Sequence, residues 1–335
     1  MFTKIKTDQL NSYTSKSWSL YMEDFSLGFF DIETTGLSPK QDTFILGGLL
    51  NQKKISGEQT STITQCFAPT KEEEAEQLEQ YLSELSKQEI WVSYNGDSFD
   101  SPFLAKRMAK LGIGETLPFH YSFDLYRILR QSPSIAALLP NLKQKTVESF
   151  LGIQSQRLDQ ISGKESTLLY EEYQKRPSEE LKQTILLHNR DDVIQLSALL
   201  KILDKLDLHH IMFQKGFLCT AEDKKAKIER IHFDKGFLSI KGTSQNITLP
   251  YQSYELTHHL NFDSQMQTFE ITIPYLYESN FLYIDLEAFS MDFTPVQKYN
   301  GYQSGYLVLH DGSNPNYLEI NHTLKILLKE ILKQL

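Results

Sequence analysis

Cysteine is scarce in this sequence. Cys66 and Cys219 are the two in 335 residues, too few and too far apart for a disulfide framework or the paired spacing of a zinc site. Such scarcity suits a reducing compartment. No run approaches the roughly 18 consecutive apolar residues of a membrane-spanning helix, so no membrane partner is expected. The opening Met-Phe-Thr-Lys-Ile-Lys-Thr has none of the apolar core of a secretory leader, and a cytoplasmic location is expected. Internal repeats and low-complexity tracts are missing as well. Basic charge is in deficit, since 34 Lys and Arg against 43 Asp and Glu leave a net charge of −9. Nucleic-acid partners usually draw an excess of Lys and Arg. Clustered carboxylates that hold cations carry that positive charge in the metals instead, so the balance excludes nothing.

What is present is the composition of a folded protein, 40% hydrophobic and 23% charged. The length asks for two domains. Leu27 to Ile32 reads as a strand, Thr34-Thr35-Gly36-Leu37-Ser38-Pro39 as a turn, and Phe44 to Leu50 as a second strand. Thr60 to Phe67 is a third strand. In the charge-rich run Lys71 to Gln88, Leu78, Tyr81, Leu82 and Leu85 recur at helical spacing. Ile90 to Tyr94 is a short buried strand, stopped by Asn95-Gly96, and a helix follows from Phe99 to Leu111. Strands alternating with helices predict an α/β sheet with helices packed against it. A long amphipathic helix is expected over Gln183 to Leu206. Beyond residue 210 short strands are divided by turn residues: 228–240, 245–250, 269–274, 281–286 and 306–309. Asp234-Lys235-Gly236 and Asp311-Gly312 are hairpin signals, the Lys- and Glu-rich segment 220–230 reads as a linker, and Asn321 to Leu335 as a basic amphipathic helix. The expected domains are 1–208, and 209–335 as a smaller, mainly-β domain with a C-terminal helix.

Chemistry concentrates in three places. In Phe29-Phe30-Asp31-Ile32-Glu33-Thr34 the strand period puts Asp31 and Glu33 on one face. Two like charges in an apolar strand repel and are costly to desolvate unless a cation neutralises them. A hard divalent ion such as Mg²⁺ or Mn²⁺ fits carboxylate oxygens; an acidic strand end facing solvent is the other reading. Next, Asn95-Gly96-Asp97-Ser98-Phe99-Asp100 puts Asp100 in the first turn of a helix, while Asp97 reads as an N-terminal cap. Third, in His188-Asn189-Arg190-Asp191-Asp192, helical spacing aligns Asp192 with Leu196, Leu199 and Leu203 on a sheet-facing side. His188 lies one turn earlier on that side, as a buried structural residue or a catalytic one. Asp191 falls on a more polar line with Gln195 and Ala198.

Together these stretches resemble the DEDD exonuclease superfamily. Asp31 and Glu33 match its first motif, Asp100 the second within Asn-Gly-x-x-Phe-Asp, and Asp192 the last aspartate of the third. Phe123-Asp124-Leu125, the stretch Leu142 to Ile153, and Ile161-Ser162-Gly163-Lys164-Glu165-Ser166 before Leu169-Tyr170-Glu171-Glu172-Tyr173 are similar to the YprB-like branch of ribonuclease-H-like proteins. The match covers roughly residues 26 to 205. One position departs from it: many relatives have tyrosine four residues before the final aspartate, where this chain has His188.

The resemblance implies a ribonuclease-H-like α/β fold, a mixed sheet flanked by helices, and hydrolysis of DNA or RNA phosphodiesters from the 3′ end. It also implies two divalent cations, Mg²⁺ or Mn²⁺, held by Asp31, Glu33, Asp100 and Asp192. Asp31 would bridge them and His188 would orient or deprotonate the attacking water, help worth about 10²–10⁴ in rate. Thr34, Asn95 and Phe99 are the candidate substrate contacts, although Asn95 reads equally as a turn cap and Phe99, like Phe103, as core. Lys106, Arg107 and Lys110, and Lys143 with Lys145, either track phosphates or line solvated helix faces. Asp124 reads as a support for a helix end or a basic side chain. Gly163-Lys164 reads as a surface turn. Two other function classes remain: a catalytically weak or inactive nucleic-acid-binding module, and a scaffold whose C-terminal domain docks a protein partner through Tyr275, Tyr277, Phe281 and Tyr283.

Overall fold

The near-continuous apolar run at the start of Leu27–Thr34 suits a strand buried on both faces. In the computed structural model, which describes residues 1–6, 10, 12–55, 58–153, 157–158 and 161–335, it lies inside a six-stranded sheet. In chain order the elements are β1 (Phe2–Lys6), α1 (Lys16–Met22), β2 (Leu27–Thr34), β3 (Phe44–Ile55), β4 (Glu58–Phe67), α2 (Glu74–Leu85), β5 (Ile90–Ser93), α3 (Asp100–Leu111) and β6 (Tyr121–Asp124). Then come α4 (Leu125–Arg130), α5 (Pro133–Ala136), α6 (Gln144–Phe150), α7 (Gly163–Lys175) and α8 (Glu179–Ala198). The last of these runs into a 3-10 segment, Leu199–Lys205, rather than continuing as α-helix to Leu206. The spatial order is β1-β4-β3-β2-β5-β6. Strands β2, β5 and β6 are parallel; the pairs β2–β3, β3–β4 and β4–β1 are antiparallel. This is the helix-flanked sheet that the alternation of elements predicts, and it is mixed, as the resemblance implies.

The period of two along β2 sorts its side chains. Phe30 and Ile32 enter an apolar cluster with Leu78, Tyr81, Trp91, Phe103 and Leu104, which packs α2 and α3 on one face. Asp31 and Glu33 point to the other face, where Ile45, Leu46, Phe67, Tyr170, Ile185 and Leu186 pack α7 and α8. Each such large side chain, fully buried, contributes about 1.5–3 kcal/mol. The sheet can therefore carry charged groups at one edge of its second face.

The chain folds as two units, residues 1–15 with 22–206, and residues 16–21 with 207–335. Helix α1 joins the second unit through specific bonds. The Tyr21 hydroxyl meets His209 Nδ1 at 2.8 Å and accepts from Asn321 Nδ2 at 2.9 Å. Its strands form two antiparallel sheets, one of six strands and one of four, and Tyr317–Gln334 is the C-terminal helix. The segment 220–230 is not a linker, because Leu218–Ala221 and Lys224–Asp234 pair as a hairpin. Ala226 and Ile228 point inward there while Glu229 and Arg230 face solvent, and that alternation has a linker's composition. Residues 245–250 likewise do not form a strand; the strand after Phe237–Gln245 is Tyr251–Tyr254. Asp234-Lys235-Gly236 does close a hairpin, with φ of 45° at Lys235 and 91° at Gly236. Asp311-Gly312 also turns the chain back, with φ of 90° at Gly312, so that Pro315 forms an antiparallel bridge with His310 just before the last helix. Of the aromatic run, Tyr277 and Phe281 are exposed and Tyr275 and Tyr283 half-buried.

Candidate metal centre

Asp31 stands opposite Gly48 in the β2–β3 ladder. A Cβ at Gly48 would lie 2.1 Å from Asn189 Oδ1, so the missing side chain makes room for an asparagine of α8 over the sheet. Asn189 Nδ2 donates to Asp31 Oδ2 at 3.1 Å, and Asn189 Oδ1 accepts from Gln65 Nε2 at 3.1 Å. Gln65 is fixed in turn by donating to Leu186 O at 2.8 Å. From the sheet's other face, the Tyr81 hydroxyl donates to Gly48 O at 2.9 Å. Gly48→Ala is expected to push Asn189 off Asp31, with an overpacking cost of about 1–3 kcal/mol. Thermal melts and Mn²⁺ titration check this; unchanged melting and metal affinity would show that the glycine is not required.

Glu33, 7% exposed, lies where the ladder shifts register between Glu33 and Thr34. Such bulges re-aim side chains at strand ends. Asp100 opens α3 and is 6% exposed; its Oδ1 accepts from Ile32 N at 3.2 Å. A carboxylate suits that position, where the helix dipole is positive. Helix α8 brings the remaining groups. His188 Nε2 lies 3.7 Å from Glu33 Oε1 and 3.5 Å from Asp192 Oδ2. Glu33, His188 and Asp192 each offer one ligand atom, all within 4.8 Å of one another. Ligands about 2.1 Å from a single cation sit about 3 Å apart at right angles, so a small contraction would let Glu33 and Asp192 share one ion, with the His188 Nε2 beside it.

Electrostatics agree with that spacing. Burial holds the Asp31 carboxyl well above its usual range, and the charges of Asp192, Asp100 and Glu33 push it the same way, against the Asn189 bond. Glu33 is pushed up to about 7, chiefly by burial, with Asp192 adding to the rise and His188 opposing it. Asp100 is also pushed up to about 7, again by burial, against the Ile32 N–H bond that favours the anion. These groups resist ionisation unless a counter-charge arrives.

A guanidinium stands beside them. Arg157 NH2 donates to Asp192 Oδ1 at 2.6 Å, while Arg157 Nε and NH2 each meet the fully buried Glu148 carboxylate at 2.6 Å. Sequence reasoning missed Arg157, Glu148, Asn189 and Gln65. Asn189 had a signal, since it precedes Asp192 by three residues on a helix. Arg157 lies outside any periodic element and had none.

The other expected positions divide. The Thr34 hydroxyl donates to Gly36 O at 2.7 Å and closes the turn. Asn95 takes a left-handed φ of 70° and donates its N–H to Asp124 Oδ1 at 2.9 Å. Asp97 is not a helix cap: it binds Ser122 and Arg127, the latter at 2.7 Å. Asp124 caps α4 through Arg127 N at 3.2 Å. Phe103 is core, whereas Phe99 is half-buried with its ring 5.7 Å from that of Phe103. Arg107 does not track phosphates from the surface. It is 3% exposed and pairs with Glu74, its Nε donating to Oε1 at 2.8 Å. Lys110 donates to Lys40 O and Lys145 to Ile161 O, at 2.7 and 2.9 Å. Gly163 opens α7 behind a Ser162–Glu165 capping box. Asp191, on the line it shares with Gln195, is buried like that residue and accepts from Leu158 N.

Among the described residues no helix is long and apolar enough to cross a membrane. A model of the RNase_H superfamily matches residues 28–204. The uncharacterized protein YprB of Bacillus subtilis (strain 168) is 29% identical over 224 residues, 66% of this chain and 50% of that protein. The chain thus spans about half the length of the curated relative it matches. Similar solved structures include the following three. The family B DNA polymerase of Pyrobaculum calidifontis is 20% identical with a TM-score of 0.41, over 55% of this chain and 25% of that one. Exonuclease I of Methylocaldum szegediense is 13% identical with a TM-score of 0.36, over 64% and 54%. Exonuclease I of E. coli, in complex with a dT13 oligonucleotide, is 12% identical with a TM-score of 0.37, over 92% and 71%.

Proposed function

Because the chain belongs to the RNase H superfamily, we propose that its first unit is a divalent-metal-dependent nuclease that removes nucleotides from the 3′ end of DNA or RNA, in the cytoplasm. One observation carries this reading: Asp31, Glu33 and Asp100 come together from β2 and α3 with their carboxyls held above the usual range, and Asp192 and His188 of α8 close the group. A fold gains nothing from burying like charges unless something else neutralises them. The donors are mostly carboxylate oxygens, which select Mg²⁺ or Mn²⁺ over softer metals. Asp31, Glu33, Asp100 and Asp192 would hold two such ions, which when bound polarise the scissile phosphate and acidify the attacking water.

The chain's own groups do the rest. Asn189 holds Asp31 by its Oδ2, and the Ile32 N–H holds Asp100 by its Oδ1, so neither carboxylate has to be oriented when substrate arrives. His188 Nε2, within 4 Å of both Glu33 and Asp192, takes the proton of the attacking water. Thr34 and Phe99, next in sequence to Glu33 and Asp100, and Asn95 receive the terminal nucleotide. The second unit holds substrate or a protein partner.

The test is hydrolysis of 3′- and 5′-end-labelled single-stranded DNA and RNA with Mn²⁺ or Mg²⁺. Metal-dependent release of mononucleotides from the 3′ end supports the reading and identifies the sugar accepted. No cleavage, together with no heat of metal binding, would move the weight to a nucleic-acid-binding module without activity.

A further inference from the structure

We propose that Arg157 and Glu148 form a positioning pair that fixes which oxygen Asp192 presents to a divalent cation. This rests on the nuclease reading above. Arg157 meets Glu148 through two bonds of 2.6 Å, one from Nε to Oε2 and one from NH2 to Oε1, the planar fork that a lysine cannot reproduce. Gln144 Nε2 holds Glu148 Oε1 as well, at 3.1 Å. The clamped guanidinium then donates from NH2 to Asp192 Oδ1 at 2.6 Å, which turns Oδ2 towards His188 and Glu33. Asp192 therefore enters the metal cluster through one chosen oxygen.

Stability does not account for the arrangement. Burying an ion pair costs about as much as the attraction returns, and Glu148 is wholly buried with the Arg157 side chain 6% exposed. Geometry does account for it: with Oδ1 held by the clamped guanidinium, Asp192 has its Oδ2 left on the side of His188. Groups that orient a metal ligand from behind typically change metal affinity about 10–100-fold when lost.

The experiment is calorimetric titration of the full chain with Mn²⁺. Wild type is compared with Arg157→Lys and with the double variant Glu148→Gln/Arg157→Gln, whose amides can still bond without a lone buried charge. The expected result is two ions in wild type, with one of them weakened about 10–100-fold in both variants. Cleavage by Arg157→Lys is expected to recover as Mn²⁺ is raised, which a merely structural defect would not do. Wild-type affinity in either folded variant overturns the positioning role. If wild type itself binds no Mn²⁺, the nuclease reading falls first and this inference with it.

Discussion

Replacing Asp31 by Asn is expected to lower metal-dependent cleavage on the order of 10⁴-fold, while raising the melting temperature of the metal-free protein. The two effects share one cause. The Asp31 carboxyl is held above its ordinary range by burial and by the charges of Asp192, Asp100 and Glu33, so as an anion it destabilises the empty site. Asparagine has the same shape and its amide oxygen can still accept from Asn189 Nδ2, the bond now made at 3.1 Å. What it lacks is the charge that a cation needs. Each kcal/mol of repulsion relieved should appear as roughly 2–4 °C in the melt of a unit of this size. Such exchange of stability for function is common at active sites. Paired melts and end-label assays decide it: a variant that is less stable without metal, or still cleaves at the wild-type rate, contradicts the role assigned to Asp31.

The metal-free protein is also expected to lose stability as pH rises from about 4.5 to 7.5, the reverse of ordinary acid denaturation. Glu33 is pushed up from 4.5 to about 7, and Asp100 from 3.8 to about 7. Between the unfolded and folded values the native state keeps protons that the unfolded chain has released, so stability must fall with rising pH across that window. Below it both states are protonated and the penalty vanishes; above it the penalty is complete, about 3 kcal/mol for Glu33 alone at 1.36 kcal/mol per pH unit. A divalent cation reverses the trend. It finds the carboxylates ionised at pH 8 and must displace their protons at pH 5, so Mn²⁺ should raise the melting temperature more at pH 8. Melts from pH 5 to 8 with and without Mn²⁺ test both halves. A flat metal-free profile, or equal Mn²⁺ shifts at both ends, would mean that these carboxyls titrate normally.

Local periodicity carries much of the candidate site. The strand period alone places Asp31 and Glu33 on one face, and the helix period places His188 beside Asp192; both are consequences of backbone geometry and survive any packing. The same period aligned Asp191 with Gln195 but did not show that its carboxylate is buried against Leu158, by a segment with no periodic signal. It was silent on Arg157, and it could not distinguish the Lys224–Asp234 strand from a linker, because a charged outer face looks alike in either.

The sequence by itself determined the helix-flanked α/β sheet, the apolar sides of its helices and the stretches that carry the acidic groups, since these follow from spacing along the chain. Only the tertiary structure decided that Gly48 clears space for Asn189, that Arg107 turns inward to Glu74, that helix α1 joins the second unit, and that Glu33 and Asp100 hold their protons to about pH 7. Each of these depends on groups far apart in the chain closing around a side chain from several directions. Desolvation is set by that closure, and no local pattern of residues contains it.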